Sequence, residues 1–366
     1  VYQHVDAVVV RAAVWPDEPL AGDWPDLTGQ AAGISSWRPW LERTLRIPGF
    51  ADAVELASPD LARRVGEICA GCPIPEPAVR RTVLAVLRYL LRASGRATPF
   101  GLFAGVAPAR LATTAEVRLG AGHRATARPD AGWLTTVIEQ SESAPALLPQ
   151  LTVQAHDLVF ERDGDLVLEH RSAGGSGGPP THARVRATPP VRAAMAAAAD
   201  PIRVHDLAGK LAAEFSGVPT AIIDKLLANL IAHRLLVTGL RPPMTDADPL
   251  GHVLALLDAA AAPQIGEVRE THARLNEIAD GLRQHNQAAP PPAARERARL
   301  TGMMDDLHPT GGRALAVDLR MDWDLTIPHT VAAETARAAG ILVRLAARPV
   351  LSTGWAAWHS RFLERY

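Results

Sequence analysis

Lysine is almost absent: Lys210 and Lys225 are the only two in 366 residues, so nearly all positive charge is arginine. A local patch that meets an anion must be built from guanidinium groups, although arginine enrichment in an Ala-rich chain does not by itself mark a site. Excess charge is lacking too. A formal net charge of −1 gives no global field toward nucleic acid or membrane. Cysteine occurs only as Cys69 and Cys72, in CAGC. One CxxC lacks the second ligand pair of a structural zinc site and does not follow a βαβ strand, so it reads as incidental and no metal is expected. No apolar run approaches the ~18 residues of a membrane span, and no secretory signal is present, so a cytoplasmic location is expected.

Familiar catalytic strings are missing as well. There is no HExxH, no His cluster, no Walker lysine motif and no Rossmann glycine fingerprint. Ser94 has neither a G-x-S-x-G elbow nor a neighbouring His, and His359 sits on the edge of an aromatic helix, where a structural role is expected. What remains is Arg, Thr and Asp, side chains that bind and orient rather than attack.

What is present begins with a nearly continuous apolar run, VDAVVVRAA, expected as a strand buried on both faces with Arg11 near its end. Helical stretches are predicted around Trp37–Leu45, Asp60–Ile68 and 76–93. In the last, Val79, Val83, Val86 and Leu90 form one face; Arg81, Arg88 and Arg92 follow another at steps of seven and four, with Arg96 one further step on. The stripe leads into SGRATPFGLFAGV, where Gly95 is a candidate helix C′ residue and Pro99 a stop signal. In HDLVFERDGDLVLEH, Asp163-Gly164 between alternating runs predicts a hairpin with a type I′ turn. A Gly-rich loop, AGGSGGPP, follows. Two helices joined by SGVP come next, one lined by Leu207, Leu211 and Phe215, the other by Ile222/Ile223, Leu226, Leu230 and Ile231, before a strand in LLVTGL. Helix-turn-helix with strands reads as a winged-helix module. Its second helix offers too little positive charge for a DNA-reading helix, whereas accepting a peptide strand at a sheet edge needs none. NQAAPPPAARERAR reads as a surface excursion, RALAVDLRMDW as one strand with Asp318 and Arg320 on the same face, and IPHTVAAETARAAGILVRL as a helix beside it. Trp355, Trp358, Phe362 and Tyr366 repeat at helical spacing up to the last residue, and Val1 begins inside a strand-like run; a portion of something longer is expected.

Taken together, the Arg-ended first strand, YLLRASGRATPFGLFAGV, PDAGWL, the winged-helix block, LLVTGLRPPMTDADPL, LAVDLR and the terminal WAAWHSRFLERY resemble, in order, the N-terminal glutamylating part of the lantibiotic dehydratase family. The resemblance covers essentially the whole chain. It implies esterification of Ser or Thr side chains of a ribosomally made precursor peptide, with glutamyl-tRNA as co-substrate and no cofactor. Elimination of glutamate would occur in a separate region, on the same or another chain, and this segment alone is expected to be inactive. Carried over position by position, the family's glutamylation residues fall on Arg11, Arg92, Arg96, Thr98, Asp130 and Asp318; of these Arg92, Arg96, Thr98, Asp130 and Asp318 are expected to be catalytic, and Arg11, with Arg88 of the stripe, to bind substrate. Each has a plainer reading: Asp130 can N-cap a helix starting at Ala131, Asp318 can pair with Arg320, and Arg11 can snorkel.

The expected fold is α+β, with mixed sheets, packed helices and an embedded winged-helix peptide-binding module. Its divisions are a first part of the glutamylation domain over 1–150, leader-peptide recognition over 151–240 and the continuation over 241–366. The resemblance implies a precursor peptide with a leader segment, glutamyl-tRNA, an elimination domain and a homodimer as partners, and neither DNA nor membrane. Two alternatives stay open: a ligase that joins an amino acid from tRNA to a peptide C-terminus, and a scaffold that only binds the leader.

Overall fold

Two apolar cores form, one gathering Trp37, Phe50, Val83 and Phe103, the other Leu168, Leu207, Leu227 and Leu230. The computed structural model describes residues 2–15, 24–29, 33–171, 181–288, 294–309, 313–346 and 353–365. The cores belong to two units: Val1–Ala127 with Ala288–Ala294 and Val317–Tyr366, and Arg128–Gln287 with Arg295–Ala316. The architecture is mixed α/β, with packed helices and mixed sheets. The segment 151–240 lies wholly inside the second unit; its Gly-rich loop falls on residues outside those described.

The first unit opens with β1 (Val8–Ala13), followed by helices α1 (Ile34–Leu45), α2 (Phe50–Ala57), α3 (Pro59–Cys69) and α4 (Glu76–Gly95) and strands β2 (Ala104–Ala112) and β3 (Glu116–Leu119). β4 (Arg124–Pro129) carries the chain onward. In the second unit come α5 (Ala131–Glu142), β5 (Thr152–Ala155), β6 (Phe160–Arg162), β7 (Asp165–Arg171), β8 (Thr181–Arg186), α6 (Pro189–Ala197), β9 (Ile202–Arg203), α7 (Val204–Glu214), α8 (Thr220–Ala232) and β10 (Leu236–Thr238). Helices α9 (Pro249–Ala259), α10 (Arg269–Gln287) and α11 (Ala294–Leu307) lead to β11 (Leu315–Arg320), after which β12 (Trp323–Pro328), α12 (His329–Leu345) and α13 (Thr353–Arg365) end the described chain.

A six-stranded sheet has the order β3-β12-β2-β11-β4, with β1 antiparallel to β2 on its other edge. β11 and β12 both pair parallel with β2, β11 through Arg320 at Val106 and β12 over Ala109–Ala112. RALAVDLRMDW is thus not one strand but the end of one and the start of the next, with a break at Met321-Asp322. β1 is not buried on both faces: among the described residues it pairs only with β2, and Val9 is 66% exposed. Gly105 marks a close approach inside the sheet. A Cβ there would lie 2.5 Å from the Leu319 carbonyl oxygen and 2.8 Å from Met321 Sδ, inside contact distance.

In the second unit, β6 and β7 form the expected hairpin, with φ of 52° at Asp163 and 78° at Gly164, the paired positive values of a type I′ turn. Sheets β10-β5-β9 and β6-β7-β8 accompany α6, α7 and α8. The apolar face of α8 is rotated from its expected position: Leu227 is buried and Ile222 is 57% exposed. The predicted surface excursion is partly wrong as well. Its second half starts α11, and Arg297 is buried there. Helix α5 is tied near its C-terminal end, where Arg234 donates to Glu139. The buried Glu142 accepts from Thr238 Oγ1 and from Arg241 Nη2, each at 2.6 Å.

Gly105→Ala should lower the urea midpoint of unfolding by the equivalent of about 1–3 kcal/mol, because β11 would have to move off β2. An unchanged midpoint would show that the approach at this position is loose.

Candidate active site

The arginine-rich corner follows from how α4 ends. Val79, Val83, Val86, Leu90 and Ala93 are buried, which leaves Arg81 and Arg88 exposed and Arg92 half-buried. Arg96 is not a helical residue: its N–H donates to the Arg92 carbonyl at 3.0 Å, and its backbone is already extended at φ −113°, ψ 106°. Pro99 then bars a return to helix. Gly95 is the last residue of α4 rather than a left-handed C′ residue; the left-handed turn falls on Gly101, with φ 52°.

The two phenylalanines of the motif divide the work of holding this corner. Phe103 is fully buried, stacks on Tyr89 at 5.2 Å and meets Phe50 and Trp15 edge-on. Phe100, stacked in turn at 6.2 Å from Phe103, presents a platform over which the Arg92 guanidinium lies at 4.3 Å. Arg92 Nη2 donates to the Thr98 carbonyl at 3.3 Å, closing the turn. Arg92 Nε is buried without a hydrogen-bond partner.

Burial pushes the Arg92 pKa down, and the neighbouring Arg96 charge pushes it further the same way. Guanidinium still stays protonated. Among the described residues no carboxylate pairs with Arg11, Arg88, Arg92 or Arg96, so this end of the unit presents cations without counter-ions. That arrangement suits a planar, bidentate anion.

Strand register brings two further residues to the same end. The end of β1 is stitched to the corner: Val14 N–H donates to the Phe103 carbonyl and Trp15 N–H to the Ala93 carbonyl. Arg11 and Arg320 are both in register with Val106, one on each side of β2, and therefore share a face of the sheet. Asp318, exposed and two residues before Arg320, projects from that face toward the Ala104 end. Arg11, Arg88, Arg92, Arg96, Thr98 and Asp318 thus belong to one unit. Asp130 belongs to the other. There its carboxylate accepts from Gly132 N–H at 2.8 Å as the N-cap of α5, and its own N–H donates to the Ala314 carbonyl.

Phe100's role as a platform was not foreseen, although Arg92 eight residues upstream in a motif rich in aromatics was the available signal. The break between β11 and β12 was missed too. Its trace lies elsewhere in the sequence, in the glycine pair of LGAGH. Asp322 Oδ1 accepts from Arg118 and Oδ2 from Gly122 N–H, its carbonyl accepts from Gly120 N–H, and its N–H donates to His123 Nδ1 at 3.1 Å. The Gly122 N–H and Arg118 hold the Asp322 carboxyl below its usual range. Of the cysteines, Cys69 ends α3 and Cys72 is exposed; both are free, and burial pushes the Cys69 thiol up, away from reactivity.

The family model described as the N terminus of lantibiotic dehydratase matches residues 46–366. The chain belongs to that family. The crystal structure of the tRNA-dependent lantibiotic dehydratase MibB from Microbispora sp. 107891 superposes with a TM-score of 0.76 at 33% identity, covering 100% of this chain and 33% of MibB. This chain therefore spans about a third of that relative's length. The glutamylation domain TbtB of thiomuracin biosynthesis shares the fold, with a TM-score of 0.54 at 20% identity over 84% of this chain and 37% of TbtB. A second TbtB structure, bound to 5′-phosphodesmethylglutamycin, matches at 21% identity with the same score and coverage. No curated protein matches. Among the described residues, no helix is long and apolar enough to cross a membrane.

The stacked and exposed arginines should separate in stability measurements. Arg92→Ala removes a cation–π contact and a hydrogen bond and should cost about 1–2 kcal/mol, while Arg96→Ala should stay within about 0.5 kcal/mol of the parent. Equal losses by urea unfolding would refute the division.

His123 predicts a pH effect. Burial lowers its pKa below 6.5, and its Nδ1 accepts a hydrogen bond only when unprotonated. Its contribution is therefore complete above pH 6.5 and is lost as pH falls through the folded-state value. His156 and His308 are lowered by burial in the same direction. His123→Asn, whose amide oxygen can accept the same bond, should reduce the acid-side slope of stability against pH without abolishing it. An unaltered slope would remove His123 from the explanation.

Proposed function

We propose that this chain performs the glutamyl-transfer half of peptide dehydration. In that reaction the ester joining glutamate to the 3′-terminal ribose of its tRNA breaks, an ester to a Ser or Thr hydroxyl of a precursor peptide forms, and the peptide hydroxyl's proton passes to the freed ribose hydroxyl. One ester replaces another, so positioning and charge stabilisation carry the catalysis and no cofactor is needed.

The observation that carries this reading is the uncompensated Arg92–Arg96 pair, fixed by Phe100 and the Thr98 carbonyl, in a chain of the lantibiotic dehydratase family. The description of MibB as tRNA dependent supports a tRNA co-substrate. Arg96, the exposed member, engages the glutamyl carboxylate or the terminal nucleotide; Arg92 and Thr98 set its position. Arg11 and Arg88 extend the cationic surface, and Asp318 receives the amino group of the glutamyl moiety or orients an arginine. Asp130 acts in this scheme while capping α5. Segment 151–240, with α7 and α8 beside two three-stranded sheets, serves as a winged-helix module that takes the leader segment as an added strand.

The test uses the intact gene product, its precursor peptide and glutamyl-tRNA, read by mass spectrometry before and after mild hydroxylamine. Glutamyl adducts on Ser or Thr that hydroxylamine removes are expected, and Arg96→Ala should lower kcat/KM by about 10²–10³-fold. A hydroxylamine-stable adduct at the peptide C-terminus would replace this reading with the ligase. Peptide binding without any tRNA-dependent adduct would leave the scaffold.

A further inference from the structure

The break between β11 and β12 opens a cleft of about 350 Å³ in the first unit, walled by Arg118, Arg124, Arg320, Pro108 and Trp323. Three guanidinium groups face one carboxylate there, that of Asp322, which is already committed to Arg118 and the Gly122 N–H. Arg124 and Arg320 are exposed and carry no ion pair among the described residues. The wall is pre-arranged. A Cβ at Gly120 would sit 2.0 Å from Asp322 Oδ2, so only glycine lets the β3–β4 turn close on Asp322 and bring Arg118 and Arg124 to one place. This differs from the usual solvated arginine stripe, in which each cation has an i+3 or i+4 acid, as Arg63 and Arg299 have here.

Register places the cleft beside the corner rather than apart from it. Arg320 lines the cleft and shares the Val106 row with Arg11, while Pro108 lies two residues along β2, about 7 Å further from the corner. Arg11 and Arg320 therefore share one row on a single face of the sheet, and the cleft extends from that row away from the corner.

We propose that the Arg118–Arg124–Arg320 cleft holds a backbone phosphate of the tRNA acceptor strand, on the 5′ side of the terminal nucleotide presented at Arg96. The inference rests on the proposed glutamyl transfer from tRNA and adds a phosphodiester subsite to it. Guanidinium forks suit a phosphate's paired oxygens, and a contact one or more residues away from the reacting ester raises affinity for the tRNA without touching the chemical step.

The experiment measures binding of fluorescently labelled glutamate-accepting tRNA to the intact gene product by anisotropy across a potassium chloride series. It compares the parent, Arg124→Gln/Arg320→Gln and Lys210→Gln/Lys225→Gln, a control that removes equal charge from the other unit. Loss of the cleft pair should weaken binding about tenfold and reduce the slope of log K against log salt by about 1, whereas the lysine pair should leave the slope unchanged. In the intact gene product the cleft pair should raise KM for glutamyl-tRNA with kcat retained at saturation, opposite to Arg96→Ala. An undiminished slope in the cleft variant, or equal losses in both variants, overturns the clamp and leaves glutamyl transfer standing. Parent protein that binds no tRNA overturns both.

Discussion

The candidate site depends on a column of stacked rings. Tyr89 on α4 and Phe103, the residue before β2, lie face to face, and Phe100 extends the stack outward. This ties the C-terminal half of α4 to the residue that precedes β2, across a turn containing Pro99 and a left-handed Gly101. Without it, the segment 96–103 would be a surface loop, and Arg96 within it and Arg92 before it would sample many rotamers in water. With it, Arg92 is held over an aromatic face and Arg96 is set beside it. The ordering free energy is supplied by ring burial rather than by a carboxylate, which leaves the guanidinium charge available for a ligand.

Much of this was legible because the motif is local. The period of α4, the proline stop, the I′ turn at Asp163-Gly164 and the alternation around Asp318 each follow from a few adjacent residues. What was not legible depended on partners distant in sequence. That β1 is an edge strand follows from which strands it lacks as neighbours, not from VDAVVVRAA itself. The split of RALAVDLRMDW at Met321-Asp322 is imposed by Gly120, Gly122 and His123, some two hundred residues earlier. Burial of Leu227 in place of Leu226 is a small rotation of α8, settled by packing against Leu207 and Leu211 and beyond what periodicity resolves.

Of the residues singled out from sequence, Arg11, Arg88, Arg92, Arg96, Thr98 and Asp318 share a unit with the stacked corner, and the four arginines are fork-shaped donors that no carboxylate pairs with among the described residues. Asp130 illustrates the opposite case. Its carboxylate has an ordinary structural occupation, and capping a helix does not prevent its second oxygen from accepting another donor. A near absence of lysine has a physical counterpart here: stacking over Phe100 uses a planar, weakly hydrated cation, and an ammonium would neither lie flat on that ring nor span two acceptors.

Helix α5 is pinned at both ends, by Asp130 at its start and by Glu139 and Glu142 near its finish, where Arg234, Thr238 and Arg241 grip it. Its 12 residues make a rod about 18 Å long whose termini cannot fray independently. Such a rod transmits displacement end to end. A shift imposed on β10 or on the turn after α8 would arrive at residue 130 as translation of the whole helix, which makes β10 and Asp130 two ends of one strut.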